Sequence, residues 1–442
     1  MSKKICFVHY GIGWRDGINT VIKTLSVELQ KQNPSLKICF LGGEIKEKIL
    51  KNASYKVIPE LLPKHELNKK RLIEKSVVIA KKLAKETKGM DVVVIENPFL
   101  GEYHLPAMLG YSLYARKYKP SGVKVFFRIH DFYRDFPKYY RNFQKLFSPK
   151  EIKKIINGRG VDGFLIINQV LQKKLSRIGI KKEKIFYLPN GVNGSLFAQP
   201  LSKKEKTLVF QSLKIPFEKY KILLYPVRVV PRKNIEEAIL FTSFIRELTN
   251  ENYVLVVAGK IEKNDPLSSD YYKMLKELTK AVDFPIIFTK QALPLEKIGD
   301  LYQISEAIIM TSIKEGFGYP FLECWFAKKI VLGRRIEEVI SDFEKSKLDF
   351  GWLYPYFSIE KGKDLSEIQD KDFKQVKKII NIFKKPELKE KILKLNKVNL
   401  LKQIEILQNR DLKEKIIKTN LTQTKKVYDI SNIAQRFSKI TA

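Results

Sequence analysis

A strand-and-helix alternation that runs, breaks and then restarts constrains this chain more than any other feature. "KKICFVHY", "LKICFLGG", "MDVVVIEN", "VKVFFRIHD", "VDGFLIINQ" and "EKIFYLPNGV" are short apolar runs rich in β-branched and aromatic residues, with segments of helical period between most of them. After "PNGVNGSLF" the pattern gives way to a charged, poorly patterned stretch, "SKKEKTLVFQSLKIPFEKYK". It resumes with "KILLYPVRVV", "YVLVVAGK", "FPIIFTK", "EAIIMTS" and "KIVLGR". Strands alternating with helices predict a parallel, doubly wound sheet, because parallel neighbours need a crossover helix. Two such runs predict two α/β domains, joined near Gln199 to Lys206. Length agrees: 442 residues exceed the roughly 250 to 300 at which single cores stop growing. From about Lys361 strand signals vanish and amphipathic helices continue to the end. Ligands of open α/β sheets sit outside the carboxyl ends of the strands, so the loops there are where chemistry is expected.

Composition narrows the partners. The chain has 83 Lys and Arg against 48 Asp and Glu, a formal net charge of +35, which attracts anions without choosing among nucleotides, acidic metabolites, nucleic acid and an anionic leaflet. Much of the excess lies in Lys-rich helices of the last third, where lysine also serves as a solvated helix former. A hydrophobic share of 44% excludes a disordered chain. Cys6, Cys39 and Cys324 have no metal-ligand spacing and fit a reduced compartment. The start is too short in apolar residues for a signal peptide, and no run approaches the roughly 18 apolar residues of a membrane span. A cytoplasmic protein is expected, with peripheral contact at an anionic membrane left open and no nucleic-acid motif.

Three stretches carry the chemistry. In "TSIKEGFGYPFLE" a strand ends, Gly316 and Gly318 form a loop, and Pro320 falls at a first helical position. Helix-start amides at Gly316, Phe317, Gly318 and Tyr319 suit a phosphate, yet Glu315 and Glu323 flank them. Carboxylates would repel phosphate but accept hydrogen bonds from sugar and ribose hydroxyls, so a nucleotide sugar accounts for both. The plain structural reading is a turn plus a glutamate complementing a helix dipole. In "YPVRVVPRKN", Arg228 and Lys233 follow the first strand of the second domain, placed to neutralise a diphosphate or simply to be solvated. "VFFRIHD" ends in His130 and Asp131. On its own His130 reads as a strand-end histidine hydrogen-bonded to backbone, and Asp131 either orients it or caps a helix.

Taken with "PNGV" and the "GIGWRDGIN" turn, these motifs resemble the GT-B glycosyltransferases of family 4, and the resemblance spans most of the chain. It implies an α/β GT-B fold of two facing Rossmann-like domains. These are an acceptor-side domain over residues 1–200, a nucleotide-sugar domain over 201–424 with a helical insertion at about 361–421, and a final helix over 425–442 crossing back to the first domain. It implies a retaining, metal-independent hexosyltransferase taking UDP-, GDP- or ADP-hexose, with no cofactor. The acceptor would be a small anionic metabolite, a glycan or a lipid-linked sugar. By the same resemblance Glu315 holds the donor sugar and Glu323 the ribose. Arg228 and Lys233, with Gly316 to Tyr319, bind the diphosphate; His130 lies near the reacting sugar; Gly11, Gly13, Gly17 and Asp131 line the acceptor side. The alternatives are a sugar-nucleotide binder without transfer and a basic membrane or nucleic-acid binder. Asp370 and Asp372 in "QDKDF" have a metal-binding D-x-D spacing but sit among lysines and read as a solvated helix start. Arg334 and Arg335 are left without a role.

Overall fold

The computed structural model describes residues 2–14, 16–63, 66, 68–99, 104–132, 137–216, 219–261, 265–289, 295–368 and 372–442. The chain forms two compact units, one of Met1–Gly191 with Tyr428–Ala442 and one of Val192–Val427.

In the first unit, strands β1 (Lys4–Val8), β2 (Lys37–Gly42), β3 (Ser54–Val57), β4 (Val92–Glu96), β5 (Lys124–Ile129), β6 (Gly163–Ile166) and β7 (Ile185–Tyr187) form one sheet. Its order is β3-β2-β1-β4-β5-β6-β7, and every pairing is parallel. The near-continuous apolar character of β1, β4 and β5 follows from helices covering both faces. The edge strand "SYKV" is half polar and does not show as a strand in the sequence pattern. Helix α1 (Gly17–Gln32) opens on the Asp16 side chain, which accepts from the Asn19 amide.

The second unit repeats the plan with β8 (Lys221–Tyr225), β9 (Tyr253–Val257), β10 (Ile286–Phe288), β11 (Ser305–Met310) and β12 (Ile330–Gly333). Their order is β10-β9-β8-β11-β12, again all parallel. Helices α2 (Ile235–Thr249) and α3 (Pro320–Phe326) follow β8 and β11. In both sheets the strand order reverses between the unit's first strand and its fourth, so the crevice-forming switch points lie at β1/β4 and β8/β11.

Two stretches differ from the sequence reading. The charged linker is helical over Lys203–Ser212, opened by a capping box between Ser202 and Glu205. The chain also leaves the first unit at Gly191 and not near residue 200, so Ser195–Ala198 belongs to the second unit. The last helix, α4 (Ile430–Thr441), lies within the first unit. Ile433, Ala434 and Phe437 join Phe7, Ile22, Leu25 and Leu29 in one core, with the Phe437 ring stacked on Phe7 at 6.0 Å. Lys3 Nζ donates to the Thr441 carbonyl at 2.9 Å, and Gln32 Nε2 to that of Ser431 at 2.9 Å. Among the described residues no helix is long and apolar enough to cross a membrane.

Candidate active site

At the β8/β11 switch point, hydrogen bonds join the two loops that the sequence singled out. Tyr225, the last residue of β8, is fully buried; its hydroxyl donates to the Lys233 carbonyl and lies 3.0 Å from Ser312 Oγ. Asn234 sits in the left-handed region at φ 51°. Its carbonyl accepts from Thr311 Oγ1 at 2.9 Å, and its side-chain amide donates to the Thr311 carbonyl at 3.2 Å. The Ile313 amide donates to the Arg232 carbonyl at 3.0 Å. Lys233 Nζ is thereby brought to donate to Glu315 Oε1, each side chain only 9% exposed. Arg232 Nη1 approaches Glu315 Oε2 at 3.5 Å, and Arg228 is exposed beside this loop.

Burial pulls the Lys233 ammonium down to about 8, against the attraction of Glu315. For Glu315 burial acts upward, but Lys233 and then Arg232 outweigh it and hold the carboxyl below its ordinary range. Glu323 differs: burial pushes it up to about 7, although the Tyr302 hydroxyl donates to its Oε2 at 2.7 Å. The two glutamates thus sit in opposite electrostatic settings, one ionised against a lysine and one poised near neutrality.

The loop between them has little room. Gly318 has φ +80°, and a Cβ there would meet Val339 Cγ1 at 2.7 Å, so only glycine fits. Phe317 is buried, its ring edge-on to Phe343 at 5.8 Å and to Tyr319 at 5.1 Å. A Cβ at Gly316 would meet nothing within 4 Å, which leaves the backbone approachable. Cations beside carboxylates that only accept hydrogen bonds suit a ligand carrying both hydroxyl donors and negative charge.

Arg334 and Arg335 find their partners within the scaffold. Arg334 is clamped by Glu237, through Nε at 3.1 Å and Nη2 at 2.6 Å. It is held equally by Asp364, through Nη1 at 2.6 Å and Nη2 at 2.7 Å. Glu237 also accepts from Asn234 Nδ2 at 2.7 Å and from the Tyr354 hydroxyl at 2.9 Å, so the network braces the Lys233 loop. Arg335 pairs at the surface with Glu337 and Glu344.

In the first unit, the β1/β4 switch point carries a second polar cluster. His130 follows β5, and its Nε2 lies 2.6 Å from Glu96 Oε2. The imidazole's partner is therefore Glu96 and not Asp131. Asp131 Oδ2 instead accepts from Asn97 Nδ2 at 3.0 Å, and Asn97 Oδ1 accepts from the amides of His130 at 3.3 Å and Asp131 at 3.0 Å. Residues 133–136, where a helix cap by Asp131 would act, lie outside the described residues. Gly11 pairs in a two-residue parallel ladder with Glu44. Gly13 has φ +73°, and a Cβ there would lie 2.1 Å from the Glu47 carbonyl oxygen. Asn19 ties the turn together, accepting from the Gly13 amide at 2.8 Å and donating to the Gly11 carbonyl at 3.0 Å. Gly17 begins α1 with open space beside it. Sequence reasoning missed Tyr225, Tyr302, Glu96, Asn97 and Asn19. Of these only Glu96, a carboxylate closing an all-apolar strand, left a readable signal.

Asp370 of the D-x-D spacing lies outside the described residues, and Asp372 is exposed just before the helix Lys374–Lys384. Among the described residues no group of three or more His, Cys, Asp or Glu is arranged to hold a metal ion. A cavity of about 900 Å³ opens at the amino ends of β8, β9 and β11, lined by Lys221, Glu251, Glu306 and Lys413 among others. These charges are already spent on each other as Lys221–Glu251 at 2.6 Å and Lys413–Glu306 at 2.7 Å, and the strand ends are the wrong ones.

Comparison with known proteins follows the same division. Residues 209–361 match the family described as "Glycosyl transferases group 1", and residues 15–195 match "Glycosyltransferase Family 4". Mannosylglucosyl-3-phosphoglycerate synthase of Petrotoga mobilis is 28% identical over 222 residues, 49% of this chain and 42% of that protein. The match thus spans less than half of that relative's length. Mannosylglucosylglycerate synthase of the same organism is 26% identical over 375 residues, 74% of this chain and 81% of that protein. A Rickettsia africae glycosyltransferase structure superposes with TM-score 0.65 at 16% identity, covering 100% of this chain and 98% of that one. Anabaena HepE in complex with UDP and glucose gives TM-score 0.63 at 13% identity, covering 99% and 98%. At such identities the structural likeness establishes the fold.

Proposed function

The chain belongs to the family 4 glycosyltransferases of GT-B fold, and from that premise we propose that it moves a hexose from a nucleoside diphosphate sugar to the hydroxyl of a small anionic acceptor, with retention at the anomeric carbon. The observation that carries the reading is the Lys233–Glu315 pair at the β8/β11 switch point. It brings a cation for the diphosphate and an acceptor for sugar hydroxyls into one place. In this reading Arg228 and Lys233 neutralise the diphosphate, aided by the Gly316 to Tyr319 backbone. Glu315 takes the hexose hydroxyls and Glu323 those of the ribose. His130, with Asp131 and the turn through Gly11, Gly13 and Gly17, serves the reacting sugar and the acceptor.

The bond between the anomeric carbon and the diphosphate breaks while the acceptor oxygen forms its bond on the same face. The acceptor's proton passes to the departing phosphate oxygen. Lys233 and Arg228 supply the catalysis by stabilising the charge that develops there, in a sheltered site where such interactions are strong. With two protein cations assigned to the diphosphate, the reaction proceeds without a bound metal. Support for the anionic acceptor comes from the net charge of +35 and from the glycerate and phosphoglycerate in the two relatives' names.

The test is a matrix of UDP-, GDP- and ADP-hexoses against hydroxy acids and their glycosides, read by mass spectrometry, with and without EDTA. Proton NMR of the product reports the anomeric configuration. One donor should yield a hexosylated acid of retained configuration, unaffected by EDTA. Donor binding without transfer to any acceptor, or an inverted product, contradicts the proposal; loss of activity on chelation removes its metal-free form.

A further inference from the structure

The first unit buries a charged group that the scheme above leaves unused. Glu96 closes β4 and is 2% exposed. In the parallel ladder it stands opposite Arg128, which is fully buried and approaches Glu96 Oε1 with Nη1 at 3.8 Å. Arg128 also donates Nη2 to Asn190 Oδ1 at 3.1 Å. The other carboxylate oxygen, Oε2, lies 2.6 Å from His130 Nε2.

Charge balance and hydrogen-bond chemistry then fix the proton. A guanidinium is always charged, so Arg128 already compensates Glu96, and the imidazole has no need of a proton to neutralise the site. Burial pushes the Glu96 carboxyl up, but Arg128 and His130 outweigh it and hold it below its ordinary range. An ionised carboxylate only accepts, so the hydrogen of the contact is on Nε2. A neutral imidazole has one donor nitrogen and one acceptor, which leaves the Nδ1 lone pair for a substrate. Neighbouring His9 has the opposite arrangement: its Nδ1 faces the Gly11 carbonyl at 2.9 Å, which can only accept, and burial lowers its pKa. Asn97, at φ 52°, clamps the His130 and Asp131 amides, so the backbone beneath the ring is fixed as well. The His130 side chain keeps 6% of its surface exposed.

We propose that Glu96 is a positioning residue that fixes His130 as the Nε2–H tautomer, so that Nδ1 is presented as a hydrogen-bond acceptor to a substrate hydroxyl. This rests on the glycosyl-transfer reading for what the hydroxyl belongs to, and not for the tautomer itself. The same positioning explains why a strand otherwise wholly apolar ends in a carboxylate.

Two measurements test it. The first is nitrogen-15 NMR of histidine-labelled wild-type protein near pH 8, with the His130 signals assigned by their loss in His130→Ala. A protonated-type Nε2 and an unprotonated-type Nδ1 are expected; a proton on Nδ1 overturns the proposal. The second compares Glu96→Gln with wild type. Its carboxamide can donate to Nε2 as well as accept from it and so no longer enforces the tautomer; kcat should fall on the order of 10²-fold, as for misplaced reacting groups, with donor KM little changed. Unchanged kcat in a folded variant overturns the proposal. Should Glu96→Gln fail to fold, with Arg128 left unpaired, the wild-type spectrum alone decides. A chain that transfers no sugar to any acceptor defeats the functional reading, while the spectrum still rules on the tautomer.

Discussion

Donor affinity should depend on pH through Glu323. In the free protein its carboxyl is raised to about 7, so roughly a tenth of molecules carry the charge at pH 6 and roughly three quarters at pH 7.5. Ribose hydroxyls donate to the ionised form and should lower its pKa on binding, so binding releases a proton and tightens as pH rises. Lys233, depressed to about 8, opposes this only at the upper end, where it begins to lose the charge proposed to meet the diphosphate. Together these give a gain of about fivefold to tenfold in donor affinity from pH 6 to pH 7.5, about 1 kcal/mol, and a decline above pH 8. A nucleoside diphosphate sugar has no ionisation of its own phosphates across this range, so the slope belongs to the protein. The assay is isothermal titration calorimetry in two buffers of different ionisation enthalpy, which counts released protons directly. Glu323→Gln should flatten the acid limb and leave the decline above pH 8. An affinity flat between pH 6 and pH 7.5 in wild type, or an acid limb that survives in Glu323→Gln, refutes the ribose assignment.

Other outcomes follow from burial. Arg334→Ala should cost at least about 3 kcal/mol in denaturant unfolding, since it strands Glu237 and Asp364 together, whereas surface-paired Arg335→Ala should cost under about 1 kcal/mol; equal effects would show that the bracing network is not one. Phe437→Ala empties a fully buried site beside Phe7 and should cost about 3 to 5 kcal/mol, seen as faster hydrogen exchange in Lys4–Val8, while Tyr253–Val257 is unchanged. Glu236 is fully buried, and burial raises it to about 7, so the folded state holds a proton that the unfolded state loses between about pH 4.5 and 7. Its stabilisation is present below that window and fades as pH rises through 7; Glu236→Gln should make stability less steep across it, and an unaltered slope would contradict the assignment.

The elements that the sequence made legible are those whose signal is local. Each apolar run became a strand, and Pro320 starts α3 because its missing amide hydrogen costs nothing there. Loops carrying Lys233 and Glu315 could be placed at strand ends, since alternation with helices implies a parallel sheet. What could not be read is who pairs with whom across distance. Tyr225 meets Ser312 through 87 positions of chain and Glu237 meets Tyr354 through 117; an apolar strand ending in tyrosine looks the same whether or not its hydroxyl laces two loops together. Asp131 adjoins His130 in sequence, yet both lie in a bend after β5 whose amides Asn97 holds, and Glu96 on the adjacent strand took the imidazole. The helix Lys203–Ser212 was hidden because its weak apolar pattern leaves the capping box as its main signal.

The central claim is that a nucleoside diphosphate sugar binds at the carboxyl ends of β8 and β11. Hydrogen–deuterium exchange of the full chain, with and without the donor found by the substrate matrix, tests it most directly. Within the second unit, protection is expected in peptides covering Arg228–Asn234 and Ile313–Glu323, and Lys233→Ala should abolish it at the same donor concentration. Protection absent from those peptides, and found instead around Lys221, Arg410 and Lys413 at the opposite strand ends, would contradict the account.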